Sequence, residues 1–205
     1  TGVTTFFLDK DIDTGRIILQ KSFAIPDTAD VEYVYNGLMH LGAKIAMDTI
    51  ELIASKLPED NLDNVDFPAV LDSISAPQEF ENVELNHAPK IFKETCEINW
   101  NQSAKKVYDF VRGLSPYPGT WSTLRAIEDK GEKPLVMKVY KTAKSDRPSI
   151  GAAGSLVVEK TCLYVNTADG LLELLDIQLT GKKRMDVRSF LNGFKEIEKY
   201  RFQTE

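Results

Sequence analysis

Between Thr120 and Leu179 the chain is cut into five short apolar-rich runs: Thr120 to Ile127, Leu135 to Thr142, Gly154 to Lys160, Thr161 to Thr167 and Leu171 to Leu179. Turn signals such as Asp129-Lys130-Gly131-Glu132 and Ala168-Asp169-Gly170 part them, which reads as five strands. Strands this closely spaced leave bare edges unless the sheet curls shut, and that predicts a small barrel of the oligonucleotide-binding type. One helix precedes it. Ser103 is its N-cap, Val107, Phe110, Val111 and Leu114 follow at i, i+3, i+4 and i+7, and Ser115-Pro116-Tyr117-Pro118-Gly119 stops it. Asp186 to Gly193 predicts a terminal helix with a frayed, charged tail behind it.

The front of the chain has a different grammar. Val3 to Leu8 and Arg16 to Phe23 are β-branched and aromatic runs on either side of an Asp-rich turn. Asp27, Thr28 and Asp30 then offer N-caps to a helix whose Val31, Val34, Tyr35, Leu38, Ile45 and Leu52 form one apolar stripe, ending near Lys56 because Pro58 cannot continue it. From Glu59 to about His87 no period is visible, which predicts a linker or extended arm, longer than most connections. The organisation is therefore α+β, with a unit over 1–57, a linker over 58–88 and a barrel over 89–205.

Charge divides at the same place. Residues 1–88 hold 5 Lys and Arg against 16 Asp and Glu, a net of −11, whereas residues 89–205 hold 20 against 15, a net of +5. A basic half on an acidic chain points to a polyanion partner, with a merely solvated Lys and Arg surface as the plain alternative. No window approaches the ~18 consecutive apolar residues of a membrane span, and no export signal opens the chain. Cys96 and Cys162 stand 66 positions apart and His40 and His87 are as isolated, so neither pair has metal-ligand spacing. These features predict a reduced, metal-free, cytoplasmic protein.

The turn Asp9-Lys10-Asp11-Ile12-Asp13-Thr14-Gly15 concentrates the chemistry. Three alternating carboxylates open like a calcium loop, but Gly15 falls one residue late and Gln20 stands where a bidentate Glu is needed. A solvated turn is the stronger plain reading, since Asp and Gly are what turns prefer.

With Thr1-Gly2-Val3-Thr4-Thr5-Phe6 before it, this stretch resembles the T-G-V-T…D-T-G-x-I-L segment of the methionyl-tRNA formyltransferase family. So, in order, do His87-Ala88-Pro89-Lys90-Ile91…Ile98-Asn99-Trp100, Pro116-Tyr117-Pro118-Gly119-Thr120-Trp121, and Ala168-Asp169-Gly170…Leu179-Thr180-Gly181-Lys182-Lys183-Arg184-Met185. Asn99 departs from the family's usual Asp. The resemblance implies the tail of a folate-dependent α/β catalytic domain followed by a tRNA-binding barrel. It implies formyl transfer from 10-formyltetrahydrofolate to the amino group of methionyl initiator tRNA. Asp13 would be the catalytic carboxylate, and Asp11, Ile12 and Thr14 would line the folate pocket, chiefly through backbone. Neither His40 nor His87 matches the family's catalytic His, and its catalytic Asn is absent too. A chain starting at Thr1 is thus expected to be inactive alone, with an incomplete core over 1–56. Lys182, Lys183 and Arg184, then Lys90 and Lys93, are the implied phosphate contacts, on a monomer when the protein is full length. Two other readings stay open: a related formyltransferase acting on an amino sugar nucleotide, and a stand-alone RNA-binding module.

Overall fold

The computed structural model describes residues 1–58, 63–78, 87–128, 131 and 133–204. Two compact units divide the chain, Thr1–Ala29 with Tyr33–Ala88, and Asp30–Glu32 with Pro89–Glu205.

In the first unit β1 (Gly2–Phe6) and β2 (Ile17–Ser22) form an antiparallel hairpin in which Thr5 faces Leu19. Helix α1 (Val31–Ala54) lies against it. Thr5 and Thr49 share a 2.9 Å hydroxyl hydrogen bond, Lys21 pairs with Asp48, and Gly37 lets the helix close on Phe23, whose ring would lie 2.1 Å from any Cβ there. Ile45 and Thr49 are the buried members of α1. Tyr35, expected on the apolar stripe, is instead 68% exposed, because a stripe contacting a two-stranded hairpin is too narrow to cover it. Met39, Met47 and Ile50 stay exposed with it.

The stretch expected to be a linker is not bare throughout. Helix α2 (Phe67–Ile74) occupies part of it, capped by Asp66, which accepts from the Ala69 amide at 3.2 Å, and entered through Pro68. Two turns are too few to leave a period that stands out in sequence. Residues 59–62 and 79–86 of that stretch lie outside the described residues.

The second unit is a nearly closed antiparallel sheet of β3 (Thr120–Ala126), β4 (Leu135–Pro148), β5 (Leu156–Glu159), β6 (Cys162–Asn166), β7 (Gly170–Leu179), β8 (Met185–Asp186) and β9 (Tyr200–Phe202). Their order is β5-β6-β7-β4-β3-β9, with β8 on β7. The turn expected at Asp129-Lys130-Gly131-Glu132 falls, apart from Gly131, outside the described residues. Strand alternation sends Leu124, Met137, Val139, Leu163, Val165, Leu172, Leu174 and Ile177 into a fully buried core. Between Val139 and Thr142 the β4–β7 register slips, which turns Tyr140 as well as Lys141 away from that core.

Helix α3 (Ala104–Leu114) buries Val107, Tyr108 and Val111 rather than the Phe110 and Leu114 expected, which are half-buried. Its first amide, Ala104, donates to Asp169 of the β6–β7 turn at 2.7 Å, while Ser103 accepts from Lys106. Asn166 organises the loop over 149–155, its Oδ1 accepting from Ser149, Ile150 and Gly151. Helix α4 (Val187–Gly193) follows β8, capped by Asp186.

The tail expected to fray does the opposite. Ile197 and Phe202 are each 1% exposed, and β9 pairs Leu124 with Phe202 on one side while Ser155 bridges Arg201 on the other. The Phe202 amide donates to the Gly154 carbonyl at 2.8 Å, and Gly154 admits it through a φ of 82° where a Cβ would meet the Phe202 oxygen at 2.6 Å. Charged residues at 195 and 196 hide these two apolar anchors from a sequence window.

Candidate functional site

The Asp-rich turn is held from beneath and open above. Phe7 donates its amide to the Arg16 carbonyl at 3.0 Å and closes the loop. Gly15 sits so tightly under it that an added methyl would lie 1.5 Å from the Phe7 oxygen. Asp13 takes a left-handed φ of 58°, a conformation Asp tolerates better than most residues, and the Thr14 hydroxyl donates to the Asp11 carbonyl at 3.2 Å. Asp11, Ile12, Asp13 and Thr14 are all exposed, Ile12 at 90%. Of the three carboxylates, Asp9 turns back to accept from the Lys10 amide, and no set of residues suited to a metal ion occurs among the described residues.

Residues 75–78 grip the base of this turn. Ile17 and Ala76 exchange two 2.8 Å backbone hydrogen bonds, and the Arg16 guanidinium reaches Ser75 through Nε to the hydroxyl and Nη2 to the carbonyl, both at 2.9 Å. The Gln78 amide nitrogen then donates to the carbonyls of Asp13 at 2.9 Å and Gly15 at 2.6 Å. Nothing in the sequence pointed to Gln78.

In the second unit the three cations of the Lys182–Arg184 loop are not equivalent. Lys182 and Lys183 are exposed. The Arg184 guanidinium binds Asp176 Oδ2 through Nε at 2.9 Å and Nη2 at 2.6 Å, and lies 4.2 Å over the Tyr140 ring. Hydrogen bonding to Asp176 raises the Arg184 pKa above its ordinary value. Tyr140 in turn donates its hydroxyl to Gln178, whose amide donates to the Lys182 carbonyl at 3.0 Å, so the loop is braced at both ends. Along β4 Lys138 and Lys141 are also exposed, opposite Gln178 and Asp176 of β7, a pairing hidden in sequence by the bulge at Tyr140, while Lys144 lies 4.9 Å over the Tyr108 ring of α3.

Lys90 and Lys93 are exposed in the segment leading to a single 3-10 turn at Glu94–Cys96, and the Lys93 carbonyl accepts from the Trp121 indole at 2.8 Å. Asn99 uses its side-chain oxygen locally, accepting from the Asn101 amide at 2.9 Å, a role an Asp would fill equally well. No described helix is long and apolar enough to cross a membrane.

Residues 90–195 match the family described as formyl transferase, C-terminal domain. A methionyl-tRNA formyltransferase of Parabacteroides distasonis is 44% identical over 202 residues, 98% of this chain and 57% of that protein. One of Bacteroides fragilis is 42% identical over 206 residues, 99% and 58% respectively. The chain thus spans less than two thirds of the length of these relatives. Among solved structures, HypX from Aquifex aeolicus in complex with tetrahydrofolic acid superposes with a TM-score of 0.59 at 15% identity, over 93% of this chain and 29% of that one, a likeness of fold.

Proposed function

This chain belongs to the formyl transferase family and carries its C-terminal domain, and from that footing we propose that it is part of a methionyl-tRNA formyltransferase. The protein would move a formyl group from 10-formyltetrahydrofolate to the amino group of methionyl initiator tRNA. The observation that carries this is 44% identity sustained across 98% of the chain, through both the Asp-rich turn and the barrel. We read the first unit as the end of the α/β catalytic domain and the nearly closed sheet as an OB-like barrel that grips tRNA.

The chemistry asks little of this chain. A neutral amine attacks the formyl carbon, and a proton must leave that amine and reach the folate nitrogen. Asp13 suits the relay because its carboxylate stands exposed on a turn whose backbone is fixed from below. Asp11, Ile12 and Thr14 would line the folate pocket. Lys182 and Lys183, with Lys90 and Lys93, would contact phosphates, which position an RNA without reading its sequence. Arg184 is better suited to holding that loop in shape, since Asp176 already neutralises it. We read the full-length protein as a cytoplasmic monomer.

The test is an assay of the purified full-length protein with 10-formyltetrahydrofolate and methionyl initiator tRNA, and in parallel with a nucleotide-linked amino sugar. Formylation of the tRNA is expected. Formylation of the sugar alone would replace this reading with that of an amino sugar formyltransferase.

A further inference from the structure

We infer that Gln78 is a positioning residue for the catalytic turn, and that the segment behind α2 therefore acts on the reaction centre. The inference rests on the assignment of Asp13 as the proton relay. A single nitrogen, Nε2, donates both of its hydrogens to two carbonyls that flank Thr14, those of Asp13 and Gly15. Both acceptors are carbonyl oxygens, which fixes the amide orientation: the side-chain oxygen of Gln78 could make neither bond. The two bonds pin the Asp13–Thr14 and Gly15–Arg16 peptide units, one before and one just after the Thr14–Gly15 link. Asp13 is held in a left-handed conformation, which a free Asp leaves readily, so this clamp sets the direction in which its side chain leaves the backbone.

Gln78 is itself fixed. Ala76, two residues before it, is tied to Ile17 in both directions, and Ser75 is tied to Arg16 by two further hydrogen bonds. The side chain therefore projects from an anchored backbone. Anchoring of this kind is what transmits a rigid position to a catalytic group, where an error of about 1 Å costs on the order of 100-fold in rate.

The experiment uses the full-length protein with four variants. Gln78→Glu keeps the shape but at neutral pH replaces the donor with a carboxylate facing two carbonyls, and Gln78→Met removes the donors without adding charge. Asp13→Asn and the Asp13→Asn, Gln78→Met double variant complete a cycle. Expected are kcat values lowered roughly 10- to 100-fold in both Gln78 variants with the KM for tRNA unchanged, and no further loss from Gln78→Met once Asp13 is Asn. If Asp13→Asn is impaired while both Gln78 variants keep wild-type kcat, the positioning role is wrong and the Asp13 assignment stands. Multiplicative losses in the double variant would equally overturn it, since the two residues would then act independently. A fully active Asp13→Asn would remove the assignment on which the inference rests. Lower thermal stability of a Gln78 variant with kcat unaltered counts against the inference as well, as that is the signature of a structural brace alone.

Discussion

The indole of Trp100 lies nearly flat on the ring of Phe202, with centroids 4.9 Å apart and planes 16° from parallel. Trp100 is wholly buried and Phe202 almost so, and the Trp100 nitrogen donates to the equally buried Ser122 hydroxyl at 3.0 Å. Residues that open the second unit and residues of its last strand thus meet in one stack around β3.

Phe202→Ala should be among the costliest substitutions in the barrel. It removes a buried ring, its stacking partner contact and the apolar anchor of β9, a class of change that costs about 3 to 5 kcal/mol. Denaturant unfolding should show a much lower midpoint, and Phe202→Leu should recover more than half of the loss.

If Asp13 relays the proton as proposed, Asp13→Asn in the full-length protein should lower kcat for formyl transfer by at least ~100-fold with little change in folate affinity. Asn is the informative choice, because it accepts the left-handed backbone of this position as readily as Asp does. Near-normal kcat with a raised KM would make Asp13 a binding residue.

The cations of the 182–184 loop should separate in a salt titration. Replacing Lys182 and Lys183 with Ala should flatten the slope of log K for tRNA against log salt by roughly 1.5 to 2. Arg184→Ala should barely move it, since Asp176 already neutralises the guanidinium, and should cost stability by about 1 kcal/mol at most for a half-exposed pair. Asp176→Asn, by freeing Arg184, should steepen the slope by somewhat under ~1. Filter binding over a range of salt concentrations decides all three.

The cap of α4 should register in acid. Asp186 accepts from the Ser189 amide at 2.8 Å and its hydroxyl at 2.8 Å, and these bonds hold its carboxyl below the ordinary 3.8. A depressed folded pKa means the stabilisation is complete above pH 3.8 and fades as pH falls from there through the folded value. Asp186→Ala should therefore unfold at a lower temperature than wild type at pH 7, and the gap should narrow below pH 4.

What the sequence discloses is what is decided locally. Strands β3 to β7 are flanked by their own turn residues, Ser103 caps α3 where a Ser before an apolar stripe would, and the turn at Asp13 is bounded by two apolar runs. What it conceals depends on partners far along the chain. Strand β9 is three residues long and owes its existence to Leu124 and Gly154 rather than to a pattern of its own. The neutralisation of Arg184 depends on β8 pairing Met185 with Ile177, a register that side-chain period alone does not print. Gln78 reaches its two carbonyls across 65 and 63 residues, and a lone Gln carries no signature of such reach. Tyr35 shows the reverse: its spacing marks it for burial, yet burial also needs a neighbour wide enough to cover it.

Closure of the barrel by β9 has a consequence for the order of events in synthesis. The partners it joins are distant, with Arg125 and Gln203 hydrogen-bonded across 78 residues. A chain emerging from its N-terminus carries β3 and residues 154–155 as bare edges until Phe202 is free to slot between them, and bare edges are where nascent sheets find wrong partners. Contacts of such long range also slow the final step of folding. A ribosome reading this message must deliver residue 203 before the domain it has already built can shut.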